Sequence, residues 1–287
     1  MPCKNFPLRH PDRDRIIASL KRHGVEQLDV VAVSGSGLSG IVDQLHVRKQ
    51  IPYDQIEGYP APSIPGHPGK LVVGSLDEIQ VGVFVGRFHF YEGASGAKLT
   101  LPVQVAAGLG AHTICLTTAV GGINPDYRAG DIVLVRDHIN LMGTNPLFEM
   151  IREYQGNAFL DPEVSPFVSL TDLYRTDFFD ELRAHVAERG GRLHQGVLTA
   201  FAGPNYESPA EVRMTRVIGG DIACMSTVPE AIFARYAGLQ VVALACITNV
   251  ANDGTGEENP THHEVLDAAT AAAEMFSQTF GEMLRLL

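Results

Sequence analysis

Strands alternating with helices predict an α/β protein. Short continuous apolar runs such as Leu28 to Val33 and Val241 to Ile247, segments with apolar residues at helical spacing between them, and glycines at the junctions carry that expectation. Runs without polar alternation suit strands buried on both faces. At 287 residues, 45% of them hydrophobic, the chain can bury a full core as one domain spanning 1–287.

Along the chain, Asp12 to Leu20 predicts a helix opened by an aspartate cap, with Ile16, Ile17 and Leu20 on one face and Gly24 closing it. Leu28 to Val33 then reads as a buried strand. The stretch from Ile41 to Pro68 holds five prolines from Pro52 onward, which predicts an irregular surface segment. Lys70 to Gly74 and Ile79 to Gly86 flank a short polar turn, a hairpin signal. Leu99 to Leu109 is a helix ending at Gly110. His112 to Thr117 and Asp131 to Val135 are strands separated by a glycine turn from Ala119 to Pro125. Asn145 to Pro166 is long enough for a mobile loop. Then follow a helix over Asp177 to Arg189, a strand over Gly196 to Phe201, a helix over Pro209 to Val217 and a short strand through Ile222 to Met225. A helix beginning at Pro229, a strand over Val241 to Ile247 and a long helix over His263 to Leu287 complete the pattern.

Lysine and arginine number 22 against 33 acidic residues, a net charge of -11 with no basic cluster, which argues against nucleic acid as a partner. An anionic substrate must therefore be caught by a local set of arginine, histidine and backbone N–H groups. Cys3, Cys115, Cys224 and Cys246 show no metal-ligand spacing, and the last three sit in apolar runs, as buried free thiols of a reducing compartment do. The N-terminus lacks an apolar signal core and no run reaches the roughly 20 apolar residues of a membrane span. A cytoplasmic protein with no membrane association is the expectation.

Candidate chemistry gathers at strand ends. Gly86 to Gly93 packs Arg87, His89, Tyr91 and Glu92 after an apolar run, and residues i and i+2 of an extended chain point the same way, so Arg87 and His89 form an oxyanion clamp. Gly35-Ser36-Gly37 fits a phosphate nest, an ordinary tight strand-to-helix turn or, with Gly40, the spacing G-x-G-x-x-G of a dinucleotide site. The acidic residue expected in the second case has only Asp54 and Glu57 to offer, inside the proline-rich stretch. His67 reads as a loop histidine, or a ligand-binding one. Thr117 to Gly122 offers strand-end amides to a ligand, or is a plain glycine turn. Tyr206 beside Glu207 suits a flat heterocycle that stacks and donates from ring N–H, although such a glutamate also occurs as a solvated loop acid. Ser226 and Asn249 place further polar groups at strand ends, and His262 and His263 open the last helix. No HExxH, CxxC pair or paired-carboxylate pattern supports a metal.

Taken together the motifs resemble those of the trimeric class of purine nucleoside phosphorylases, from about Val31 to the last helix. The matching segments are Gly35 to Leu38, Gly66 to Leu71, Gly86 to Gly93, Gly121 to Pro125, Arg136 to Asn140, Gly203 to Glu207, Met225 to Glu230 and Ile247 to Asn249. The resemblance implies a mixed, partly closed β-sheet flanked by helices, and a homotrimer. It implies a phosphate held by Ser36, His67, Arg87, His89, the Ala119 backbone and Ser226. Ribose would meet Tyr91, Met225 and His262, and the purine would meet Tyr206, Glu207 and Asn249. Phe167 matches the aromatic that the family inserts into a neighbouring subunit's site. Catalysis would rest on Asn249, Glu207 and His89, with inorganic phosphate as co-substrate and no cofactor or metal.

The implied reaction is phosphorolysis of 6-oxopurine ribo- and deoxyribonucleosides such as inosine and guanosine. Methylthioadenosine phosphorylases, by contrast, carry an aspartate at the position of Asn249 and an apolar residue at that of His262. Thr118, Val120 and Cys224 depart from the family's usual residues, and Val250 stands where vertebrate members carry lysine and bacterial ones often an apolar residue; the resemblance leaves their effect on purine selectivity open. A non-catalytic nucleoside-binding protein and a dinucleotide-dependent oxidoreductase are the alternatives of other classes.

Overall fold

The computed structural model describes residues 8–60, 69–153, 165–255 and 262–287. In chain order the elements are α1 (Arg13–Arg22), β1 (Val30–Ser34), β2 (His46–Pro52), β3 (Lys70–Leu76), β4 (Ile79–Val85), α2 (Gly96–Leu99), α3 (Leu101–Gly108), β5 (Thr113–Gly122) and β6 (Ile132–Asn140). They continue as α4 (Pro146–Glu153), α5 (Phe179–Glu188), β7 (Leu193–Ala200), α6 (Pro209–Val217), β8 (Ile222–Cys224), α7 (Val228–Tyr236), β9 (Gln240–Val250) and α8 (His262–Arg285).

The strands form one nine-stranded sheet in the order β2-β3-β4-β1-β5-β8-β7-β6-β9, and β9 also pairs with β5. That second pairing closes β5, β8, β7, β6 and β9 into a ring, while β2, β3, β4 and β1 form an open wing. The sheet is mixed: β1 runs parallel to β4 and β5, and β5 to β9, whereas β3 is antiparallel to β2 and β4, β8 to β5, and β6 to β9. Both faces are covered, as the apolar runs require. Along β1, Val31 and Val33 enter one core with Ile16 and Leu20 of α1, Val103 of α3 and Phe233 of α7. Val30 and Ala32 enter the other with Leu182 of α5 and Phe276, Phe280 and Met283 of α8.

Several expectations are corrected. The stretch after Ile41 contains β2, an edge strand paired to β3, along which Ile51 alone is buried; its remaining side chains are exposed or half-buried, so no apolar pattern announces it. Strand β5 runs through Gly121 and Gly122, because both glycines are held by β8 on one side and β9 on the other. The helix expected over Leu99 to Leu109 is broken into α2 and α3 at Thr100, ahead of Pro102, which has no N–H to continue the ladder. Within Asn145 to Pro166, residues Pro146–Glu153 form α4. Asp12 precedes α1 without a side-chain capping bond and instead approaches Arg15 at 3.8 Å.

Candidate active site

The position of the site follows from β5 changing neighbours. Its ladder with β1 ends at Val33–Leu116, and β8 joins only at Gly121. Between these points Thr117 to Val120 lie alongside a gap in that edge, and the loops after β1, β4, β7 and β8 converge there. The result is a cavity with about 800 Å³ of empty space, open to solvent and in the size range of small-molecule sites. Ser36, Arg87, His89, Tyr91, Ala119, Tyr206, Glu207, Met225, Ser226 and Asn249 all line it. The described members of the sequence-derived phosphate, ribose and base sets thus meet in one space. His67 lies outside the described residues. His262 is the first residue of α8; its side chain lies outside them too. Phe167 is 79% exposed and is not among the cavity's lining residues.

Gly35 brings the loop after β1 against β5: a Cβ there would lie 2.8 Å from both Thr117 O and Thr118 Cα, and its N–H donates to Thr117 Oγ1 at 3.0 Å. Gly37 takes φ +73 and packs so close to α8 that a Cβ would meet that of Ala269 at 2.6 Å. Between them Ser36 faces the cavity. Of the two acids open to the dinucleotide alternative, Glu57 is engaged on the surface by Arg15 and Arg22, and neither it nor Asp54 lines the cavity.

Arg87 is almost fully buried. Its Nη1 donates to Ser226 Oγ at 2.9 Å and to Thr227 Oγ1 at 3.2 Å, and its Nη2 to the carbonyls of Val33 at 3.0 Å and Thr117 at 2.6 Å. The fork is thereby aligned by carbonyls from β1 and β5. Ser226 Oγ also lies 3.2 Å from Thr118 Oγ1. His89 is oriented by Glu92, whose Oε1 accepts from both its backbone N–H at 2.9 Å and its Nδ1 at 2.8 Å, directing Nε2 away from the carboxylate. Its ring stacks on Tyr91 at 4.8 Å between centroids. Burial, with Glu92 adding to it, pushes the Tyr91 phenol up to about 12, so it stays a neutral hydrogen-bonding group.

Glu207, which also lines the cavity, is only 9% exposed. Burial pushes its carboxyl above the ordinary glutamate value, with Glu211 adding a smaller push in the same direction. A solvated loop acid it is not. The Tyr206 phenol is likewise raised by burial and then by Glu207. Asn249 comes from the end of β9, where Thr248 Oγ1 sits 3.2 Å from its Oδ1. Burial raises the Cys224 thiol to about 12, which removes it as a nucleophile. Among the described residues no group of three or more His, Cys, Asp or Glu is placed to hold a metal ion. Sequence reasoning missed the supporting roles of Glu92, Thr118, Thr248 and Glu230; all four stand inside segments quoted above, but only the fold shows what each touches.

Residues 29–285 match the family model described as the phosphorylase superfamily. Purine nucleoside phosphorylase 1 of Geobacillus stearothermophilus is 40% identical over 235 residues, 82% of this chain and 82% of that protein. Purine nucleoside phosphorylase of Bos taurus is 38% identical over 265 residues, 90% of this chain and 89% of that protein. Among solved structures, Schistosoma mansoni purine nucleoside phosphorylase in complex with adenosine superimposes with a TM-score of 0.85 at 31% identity, covering 98% of each chain. In complex with inosine it gives 0.82 at 30% identity, covering 99% of each.

Proposed function

This chain belongs to the phosphorylase superfamily, and within it we propose that the protein is a purine nucleoside phosphorylase acting on inosine, guanosine and their deoxy forms. It transfers the pentosyl group reversibly from purine to inorganic phosphate. The N9–C1′ bond breaks with its electron pair going to the base, and a phosphate oxygen forms the new bond to C1′. The observation that supports this best is the single cavity that Ser36, Arg87, His89 and Ser226 share with Glu207 and Asn249.

In this reading Ser36, Arg87, His89, the Ala119 backbone and Ser226 hold the phosphate, with His67 joining them. Tyr91, Met225 and His262 hold the sugar. Tyr206 stacks near the purine. Glycoside cleavage passes through a cation-like sugar carbon, so an anion beneath C1′ and a stabilised leaving base are the two requirements. Phosphate supplies the anion and the nucleophile, which leaves no step that asks for a metal or organic cofactor. Ionised Glu207 accepts from N1–H of a 6-oxopurine. Thr248 holds Asn249 Oδ1, so Nδ2 donates to the base as negative charge grows at N7 and O6. One such donor is worth about 3 kcal/mol, roughly a hundredfold in rate.

We assign a homotrimer in which Phe167 reaches a neighbouring subunit's site; its 79% exposure in the single chain supports that role. A cytoplasmic location accords with the acidic surface and buried thiols, and among the described residues no helix is long and apolar enough to cross a membrane. A phosphate-dependent assay over inosine, guanosine, adenosine and methylthioadenosine tests the substrate class. Preference for the two oxopurines supports the assignment. Preference for methylthioadenosine overturns it in favour of the methylthio relatives.

A further inference from the structure

Behind the cavity wall, Arg87 Nη1 lies 3.4 Å from Glu230 Oε2, with the two side chains 3% and 4% exposed. The same Oε2 accepts the Thr227 N–H at 3.1 Å. Thr227 holds φ +70 and ψ −51, a backbone region that a β-branched residue rarely enters. It closes a tight turn in which the Val228 N–H donates to Ser226 O at 2.7 Å. One carboxylate oxygen therefore secures the strained turn that presents Ser226 and also faces the guanidinium that binds Ser226 Oγ. The other oxygen, Oε1, and Arg87 Nε are buried without a hydrogen-bond partner among the described residues. A desolvated ion pair with unmet polar atoms is a poor source of stability, so its presence beside an anion site calls for another reason.

We infer that Glu230 is a positioning residue that sets how tightly the cavity grips its anion: the cap it gives Thr227 fixes Ser226, and its charge offsets that of Arg87 so that the anion can leave. The inference rests on the reading of Arg87 and Ser226 as phosphate ligands. Glu230→Gln separates the two effects, because the amide oxygen still accepts from Thr227 N–H while the charge is gone. A negative charge about 7 Å from a bound anion beside a solvent-open cavity, at an effective dielectric constant of about 50, weakens it by about fivefold. Calorimetric titration with inorganic phosphate should therefore give a Kd about fivefold lower in E230Q than in the wild type, with the KM for phosphate falling and the KM for inosine unchanged.

A purely structural role predicts lower thermal stability with an unchanged Kd, and that result, or a weaker Kd, overturns the inference. If E230Q does not fold alone, refolding it in saturating hypoxanthine before the phosphate titration answers the same question: a phosphate Kd below that of the wild type under the same condition supports the inference, and an equal or higher one contradicts it. Wild-type protein that fails to bind phosphate refutes the phosphate reading itself, whereas wild-type binding without tightening in E230Q refutes only the role of Glu230.

Discussion

Asn249 faces Gly121 across the ladder between β5 and β9, although Val120 pairs with Ile247, so β9 carries one extra residue at Thr248. A bulge of this kind re-aims the side chain that follows it. Thr248 is buried, with its hydroxyl 3.3 Å from Val120 O and 3.2 Å from Asn249 Oδ1. The bulge and the hydroxyl together set the Asn249 amide at the cavity, where the proposed reaction requires a donor to the leaving base. Asn249→Ala should lower kcat about a hundredfold, the worth of one donor matched to transition-state charge. The Kd for phosphate, measured by titration, should not move, and a loss confined to phosphate affinity would contradict the assignment.

Glu207 carries a pH prediction. Burial raises its carboxyl above the ordinary value of about 4.3, and the form that accepts from a base N1–H is the ionised one. kcat/KM for inosine therefore falls as pH drops through the raised value, and this acid limb lies above the range of an exposed glutamate. In Glu207→Gln the limb should vanish along with most of the activity. An unchanged acid limb in that variant assigns it to another group.

Gly35→Ala tests the loop that carries Ser36. The added methyl would sit 2.8 Å from backbone atoms of Thr117 and Thr118, which cannot rotate aside. Displacing the loop should cost about 1–3 kcal/mol of stability and raise the KM for phosphate more than that for inosine. Thermal denaturation and initial rates check both, and a variant equal to the wild type in both would show that the loop tolerates displacement.

The alternating elements made the fold class readable in the sequence, and the strand-end motifs named many of the residues that line the candidate cavity. Helix α6 begins and ends where Pro209 and Val217 suggested, its start set by a capping box of Ser208 and Glu211. The exposed β2 was hidden because its order comes from ladder bonds to β3 rather than from an apolar pattern. Gly121 and Gly122 looked like a turn because glycine is scarce in strands, yet two neighbouring strands hold them extended. Ring closure by β9 depends on its pairing with both β5 and β6, which no local pattern reports. Arg87 and Glu230 are 143 residues apart, the difference of their sequence numbers, and meet only through the fold. Glu92 was readable in principle, three residues from His89 at a strand end, but nothing in the spacing says that its carboxylate turns back onto the ring.

The most direct measurement follows inosine cleavage by the purified protein with and without inorganic phosphate, with the sugar product identified by phosphorus NMR. Phosphorolysis yields hypoxanthine and ribose 1-phosphate in equal amounts, with no turnover when phosphate is omitted. Release of hypoxanthine with free ribose at the same rate in phosphate-free buffer would contradict it.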